Sequence, residues 1–300
     1  YVMITLVCGL VSAQEKQRTE ESDVSPMEKK GYTVIQQQGV PLESTIDPAK
    51  YFIGPSDILA VNIWMSPPIS FTLTVSPEGT LVIPTIAEVS VADLTLTKAK
   101  EKILSEARKK YLTPDITVTL IKPRPIVVTV TGTVLKPGLF TLSAVDRVHR
   151  ALEEANKPSQ PPVEMSMRNI VLKHKDGSID RVDLVKFLAT KDDKWNPYLR
   201  EGDIIIAPRK NQNKNVIGIY GEVNSPGRYE FVEGDSLHDL FQIGMGFTRL
   251  ALKDSIEFTR LNLDGTILTS IIINANHILD GTHPDFTLEP GDRIVVKAKK

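Results

Sequence analysis

The sequence predicts an α+β chain in which one small domain precedes two tandem β-grasp-like modules. Two observations carry this prediction. Landmarks in the C-terminal part recur 89 residues apart, as Gly132 and Gly221 do. Elsewhere, short runs of alternating apolar residues bounded by Gly and Pro mark strands, and one stretch has helical spacing.

The chain opens with an uncharged apolar run over residues 2–11, followed by the small residues Val11-Ser12-Ala13. Residues 1–13 are therefore expected to be a secretory signal without its basic start, too short to span a membrane. Cys8 is the only cysteine among 300 residues. Lipidation there would want Gly or Ala where Val7 stands, so plain cleavage is expected, leaving a mature chain with no disulfide or thiolate chemistry. Residues 14–47 are polar and aperiodic, as in a disordered or extended leader.

The first domain is expected over 48–122. Residues 58–64 form an apolar strand, which Pro67-Pro68 stops. Phe71, Leu73 and Val75 alternate with polar residues, Pro77-Glu78-Gly79 turns the chain, and Leu81-Val82-Ile83 is expected to return as their partner strand. Leu96, Ala99, Ile103 and Ala107 give a helix starting at Thr95 or Thr97 and ending near Leu112, before Pro114. Ile116, Val118 and Leu120 alternate as a last strand, and Lys122-Pro123-Arg124-Pro125 predicts a stiff linker. Trp64, at a strand end, is expected in the core.

The modules are expected at 124–210 and 214–300. Gly132, Pro137-Gly138 and Phe140 match Gly221, Pro226-Gly227 and Tyr229. Asp146, His149 and Leu152 match Asp235, His238 and Phe241 on a short helix, Asp176-Gly177 matches Asp264-Gly265, and Gly202-Asp203 matches Gly291-Asp292. Pro-Gly suits a type II turn, and Asp-Gly between apolar runs suits a hairpin. In the Gly-Asp pairs, Gly permits the bend and Asp accepts amide hydrogens as the next strand starts. Each module should run strand, Pro-Gly turn, strand, helix, hairpin, short helix and closing strand, with a core of its own.

The remaining patterns exclude several chemistries. Lys plus Arg total 36 against 37 acids, so the net charge of −1 lacks the basic excess of a nucleic-acid binder. The five histidines, among them His174, His277 and His283, show no metal-ligand spacing. The pairs Glu153-Glu154 and Asp192-Asp193 are sequence neighbours, whereas glycoside hydrolysis needs carboxylates facing each other across a bond. No nucleophile elbow occurs, and Gly244-Met245-Gly246 lacks a phosphate-loop context. No catalytic residue, metal or cofactor is therefore expected. Trp195 and Tyr198, in a polar stretch, are candidate exposed contacts with a glycan or subunit. Basic residues ahead of the modules (Lys122 and Arg124, then Arg209, Lys210 and Lys214) are either solvated linker or contacts to acidic sugars or a neighbouring subunit.

The residues also resemble a known family. Tyr51-Phe52-Ile53-Gly54-Pro55-Ser56-Asp57-Ile58-Leu59, with Val61 and Trp64, is similar to the opening of the polysaccharide export domain. The segments 75–84 and 94–111 are similar to its central hairpin and helix. The two modules resemble soluble-ligand-binding β-grasp (SLBB) domains, and the order is that of outer-membrane polysaccharide export proteins of the Wza type. That resemblance implies a non-enzymatic ring-forming conduit in the periplasm, associated with the outer membrane, passing capsule or exopolysaccharide and docking on an inner-membrane co-polymerase. Family members often have Gly where Ala87 and Asp93 stand. The best-known type has an acylated N-terminal Cys and a C-terminal amphipathic pore helix. Here Lys299-Lys300 closes the sequence after the last strand, so a separate outer-membrane β-barrel is a further expected partner. The alternative is a non-channel periplasmic glycan-binding or scaffold protein.

Overall fold

The computed structural model describes residues 45–112, 115–210, 215–261 and 266–299. The expected signal with Cys8, the leader up to residue 44, Thr113-Pro114, Lys214 and the Asp264-Gly265 turn lie outside these residues.

The first domain comprises β1 (Ile58–Trp64), β2 (Ile69–Thr74), β3 (Thr80–Ile83), β4 (Ala87–Ser90), α1 (Leu96–Lys110) and β5 (Asp115–Lys122). An antiparallel sheet of order β2-β1-β5 turns Leu59, Val61 and Ile63 inward, where they are buried. The α1 residues Leu96, Ala99, Ile103 and Ala107 are buried too, as their spacing requires. Thr95 caps the helix by accepting the Lys98 amide at 3.3 Å, and Arg108, Lys109 and Lys110 suit its negative C-terminal end.

Two expectations fail in this domain. Leu81-Val82-Ile83 does not pair with β2. The Val75 amide and carbonyl are already bonded to the Asp57 carbonyl and the Ser56 amide, and the 76–80 turn closes on itself. β3 is thereby sent into a separate two-stranded sheet with β4, around Thr85 at φ +64°. Trp64 is not a core residue but is 59% exposed, its indole N–H donating to Thr117 Oγ1 at 3.3 Å. As the residue after buried Ile63 on β1, its side chain points to the opposite face of the sheet. Asp93 takes φ +60°, the left-handed conformation that Gly adopts freely and Asp tolerates.

The first module comprises β6 (Pro125–Gly132), β7 (Gly138–Ser143), α2 (Val148–Asn156), β8 (Ile170–Lys173), β9 (Ile179–Val182), α3 (Leu184–Thr190) and β10 (Ile204–Ala207). The second comprises β11 (Val216–Gly221), β12 (Gly227–Glu230), α4 (Leu237–Ile243), β13 (Ile256–Leu261), β14 (Ile267–Ile273), α5 (Ala275–Leu279) and β15 (Arg293–Val296). Their sheets have the same order, β7-β6-β10-β8-β9 and β12-β11-β15-β13-β14, with a parallel central pair in each. That is the β-grasp arrangement. The repeat extends to single hydrogen bonds: Gly202 N–H to Val127 O recurs as Gly291 N–H to Val216 O, and Thr133 N–H to Ala207 O as Glu222 N–H to Val296 O.

Gly132 and Gly221 show why glycine stands at the end of each first strand. Their φ values are +96° and +83°, and an added Cβ would lie 2.1 and 2.0 Å from the Ala207 and Val296 carbonyl oxygens. The reversal begins at these glycines, since Val134 N–H bonds Gly132 O and Val223 N–H bonds Gly221 O. The expected Pro-Gly type II turns are therefore absent. Gly138 opens β7 at φ +155° and Gly227 opens β12 outside the left-handed region, whereas the third position of such a turn needs φ near +80°. Pro137 and Pro226 only lead into these strands.

The cores divide differently from the expected domains. The apolar core of the first module is continuous with that of the first domain, from Tyr51 and Leu59 through Ile126 and Val148 to Ile205. The second module has its own core around Ile219, Leu240, Phe258 and Ile294. The predicted stiff linker is consequently no linker: Pro123 and Arg124 are buried where one core passes into the next.

Candidate functional site

Three buried aspartates make corners of the fold, and the partners of two of them line the site. Asp57, Asp203 and Asp292 are fully buried, and each accepts the amide of the residue three positions earlier: Gly54 at 2.9 Å, Arg200 at 2.7 Å and Glu289 at 2.8 Å. Gly202 (φ +78°) and Gly291 (φ +99°) supply the bends. Gly54 is constrained instead by its neighbour, because a Cβ there would meet the Arg124 guanidinium at 2.7 Å. A buried carboxylate needs a partner, and each aspartate has a different one. Arg124 reaches Asp57 at 2.9 Å, His174 Nδ1 reaches Asp203 at 2.8 Å, and Arg260 reaches Asp292 at 2.8 Å. Tyr51 O–H also donates to Asp57 at 2.6 Å; burial, then the adjacent carboxylate, pushes the Tyr51 phenol far above its ordinary range. Burial likewise raises the Asp203 carboxyl, against the Arg200 amide and His174. The repeat spacing singled out Asp203 and Asp292, and the family resemblance covered Asp57, but neither showed their partners; Arg124 is an internal counter-ion rather than solvated linker.

Between the first domain and the first module lies a cleft of about 410 Å³. The domain contributes Lys50 and Phe52, Arg124 stands at the junction, and the module contributes Arg147, His174, Asp180, Arg181, Asp193, Lys194, Tyr198 and Arg200. Six Lys or Arg side chains thus line it against two aspartates. Arg147, nearly buried, pairs with Asp193 at 2.7 Å and lies 4.0 Å from the Tyr198 ring centre. Asp180 is engaged by His174 Nε2 at 3.1 Å. Arg200 stacks 4.1 Å from the Phe52 ring centre, and among the described residues neither it nor Arg181 has a carboxylate within ion-pair distance.

Of Trp195, Tyr198, Arg209 and Lys210, only Tyr198 lines this cleft, where Arg124 joins it. Trp195 is half-buried beside it, with the Lys186 and Lys194 ammonium groups 4.6 and 4.9 Å from its ring centre. Arg209 is exposed and Lys210 half-buried at the far end of the module, where Lys210 lines a smaller hollow with Arg168, Arg228 and Tyr229. The structure does not bring these four together.

The domain match decides what this frame belongs to. Residues 46–121 match the family model described as "Polysaccharide biosynthesis/export protein", and residues 216–269 match that of the SLBB domain. The chain carries a polysaccharide export domain and an SLBB domain. Two polysialic acid transport proteins KpsD of Escherichia coli are 25% and 24% identical to it over 184 residues, 61% of this chain. The match spans 32% of the length of each relative.

The cleft thus lies where the export domain meets the module ahead of the SLBB domain. A second junction, unforeseen in the sequence, locks that module to the SLBB domain through buried charges. Arg168 bonds Asp183 at 2.9 Å and Asp235 at 2.8 Å, while Lys186 bonds Asp235 and Asp239 at 3.0 Å each. Ser166 O–H donates to Glu230 across the same boundary. His149 and His238, equivalent in the repeat, serve local structure: their amides are accepted by Asn196 at 3.1 Å and Asp285 at 3.2 Å, again 89 residues apart. Glu153 and Glu154 are engaged by Arg150 and Lys157. No helix among the described residues is long and apolar enough to cross a membrane.

Proposed function

We propose that this chain is a non-enzymatic component of a capsule or exopolysaccharide exporter, acting in the periplasm in association with the outer membrane as part of a homo-oligomeric conduit. The observation that carries the reading is the matched export domain, built into one continuous core with the β-grasp module behind it. Such a body suits a wall or collar along which a polymer passes. The names of the relatives point the same way, as polysaccharide transporters. Both modules are taken as SLBB domains on their common strand order. An inner-membrane co-polymerase and a separate outer-membrane β-barrel are the proposed partners.

Passive conduction fits the chemistry of the cleft. Its two aspartates pair with Arg147 and His174. Self-association is favoured by β14, an edge strand whose Ile267, Leu268, Ile271 and Ile272 are 67%, 60%, 46% and 61% exposed. Edges are ordinarily blunted with charge, as Asp180 and Arg181 blunt the equivalent β9. Deleting the chain from its parent cell should remove polysaccharide from the surface while the polymer accumulates inside. Unchanged surface polysaccharide would refute the export reading.

A further inference from the structure

We propose that the cleft between the export domain and the first module binds the carboxylates of an acidic glycan, with Arg200 and Arg181 as its anion-binding groups. The choice of a glycan rests on the export reading; the choice of an acidic one rests on the side chains. Of the six cations, Arg124 is neutralised by Asp57 and Arg147 by Asp193. Lys50 and Lys194 have exposed partners in Asp47 and Asp192, at 3.8 and 3.1 Å, contacts that water screens strongly. Among the described residues neither Arg181 nor Arg200 has a carboxylate at ion-pair distance; Asp176 and Asp203 act on Arg200 only from farther away. Two guanidiniums without a carboxylate at ion-pair distance, beside two lysines whose partners are screened by water, leave N–H donors in the recess that a carboxylate satisfies better than a neutral sugar.

Arg200 is also held ready for its ligand. The Phe52 ring, 4.1 Å from its guanidinium carbon, restrains the side chain, and a guanidinium can bond a carboxylate in a fork. A side chain ordered beforehand loses little freedom on binding. Tyr198 adds a neutral polar contact: its hydroxyl oxygen faces the Asp47 amide at 3.5 Å, leaving the phenolic proton to donate to a sugar oxygen. The volume of about 410 Å³ falls in the range of small-molecule sites and exceeds what one inorganic anion needs, so a short stretch of polymer is the fitting occupant.

Titration calorimetry on the full chain tests this with three probes: an oligogalacturonate, a maltooligosaccharide of equal length and an inorganic polyphosphate. Saturable binding of the uronate, with no heat from the neutral sugar and weaker binding of polyphosphate, is the supporting result. Arg200→Ala should weaken uronate binding about tenfold, Arg200→Lys should recover only part of it, and the exposed Arg181→Ala should weaken it several-fold. Arg209→Ala, remote from the cleft, should bind as the unmodified chain does. Equal affinity for uronate and neutral sugar would overturn the proposal. So would polyphosphate binding as tightly as uronate, or normal binding by the Arg181→Ala, Arg200→Ala double variant with an unchanged unfolding midpoint. Failure here with surface polysaccharide still dependent on the chain removes this site alone; uronate binding in a chain dispensable for surface polysaccharide removes the export reading instead.

Discussion

Arg168 in the first module donates to both carboxylate oxygens of Asp235 in the second, at 3.0 and 2.8 Å, with both side chains almost fully buried. Because the two modules have separate apolar cores, this ionic contact, with Lys186 and Asp239, holds much of the register between them. Removing one member of such a cluster leaves buried charge uncompensated. Asp235→Ala should therefore cost about 3–5 kcal/mol. Denaturant unfolding should split into two transitions, the second module melting first. A single unshifted transition would show that the ion cluster does not couple the modules.

Gly132 and Gly221 are expected to be intolerant of any side chain. Each combines a positive φ with a backbone oxygen about where the Cβ would go, at 2.1 and 2.0 Å. Gly221→Ala should destabilise by roughly 3 kcal/mol or more, since both backbone strain and displacement of β15 contribute. Gly177→Ala, also at positive φ but with open space around it, should cost only about 1 kcal/mol. Equal losses in chemical denaturation would mean that strain alone sets the penalty.

Tyr51 should make the protein alkali-sensitive. Its phenol is raised in the folded state and free in the unfolded one, so the folded chain holds this proton more tightly. That contribution is intact below the ordinary tyrosine value of about 10 and is lost as pH rises above it. In absorbance titration Tyr51 should ionise only on unfolding. Tyr51→Phe should reduce the absorbance step at unfolding and flatten the loss of stability above that pH; an identical profile would contradict the assignment.

The β14 edge should govern self-association. Ile272→Lys places a charge on an exposed edge strand without touching the core, since Ile272 is 61% exposed. Light scattering should report a lower mean mass for the variant than for the unmodified chain at equal concentration, with the same unfolding midpoint. Equal masses would move the subunit contact elsewhere.

Much of the architecture was legible from local pattern. Helix spacing at Leu96, Ala99, Ile103 and Ala107, and the recurrence of Gly132, Asp203 and their counterparts, depend on backbone periodicity and on conformations that few residues adopt. The same local logic misplaced Trp64 and the partner of Leu81-Val82-Ile83. Burial on a strand depends on which face the residue's parity gives it, and strand pairing depends on which backbone groups are already bonded.

The sequence by itself determined that two similar modules follow a distinct first domain, because repetition and turn chemistry are local. Only the tertiary structure decided which charges meet. Arg124 finds Asp57 from 67 positions away, His174 and Arg260 take equivalent places beside Asp203 and Asp292, and Arg200 is left without an anion in the cleft. Spacing carries no record of such pairings. They arise when folding removes charged groups from water and the energy of each comes to depend on the nearest opposite charge the fold provides.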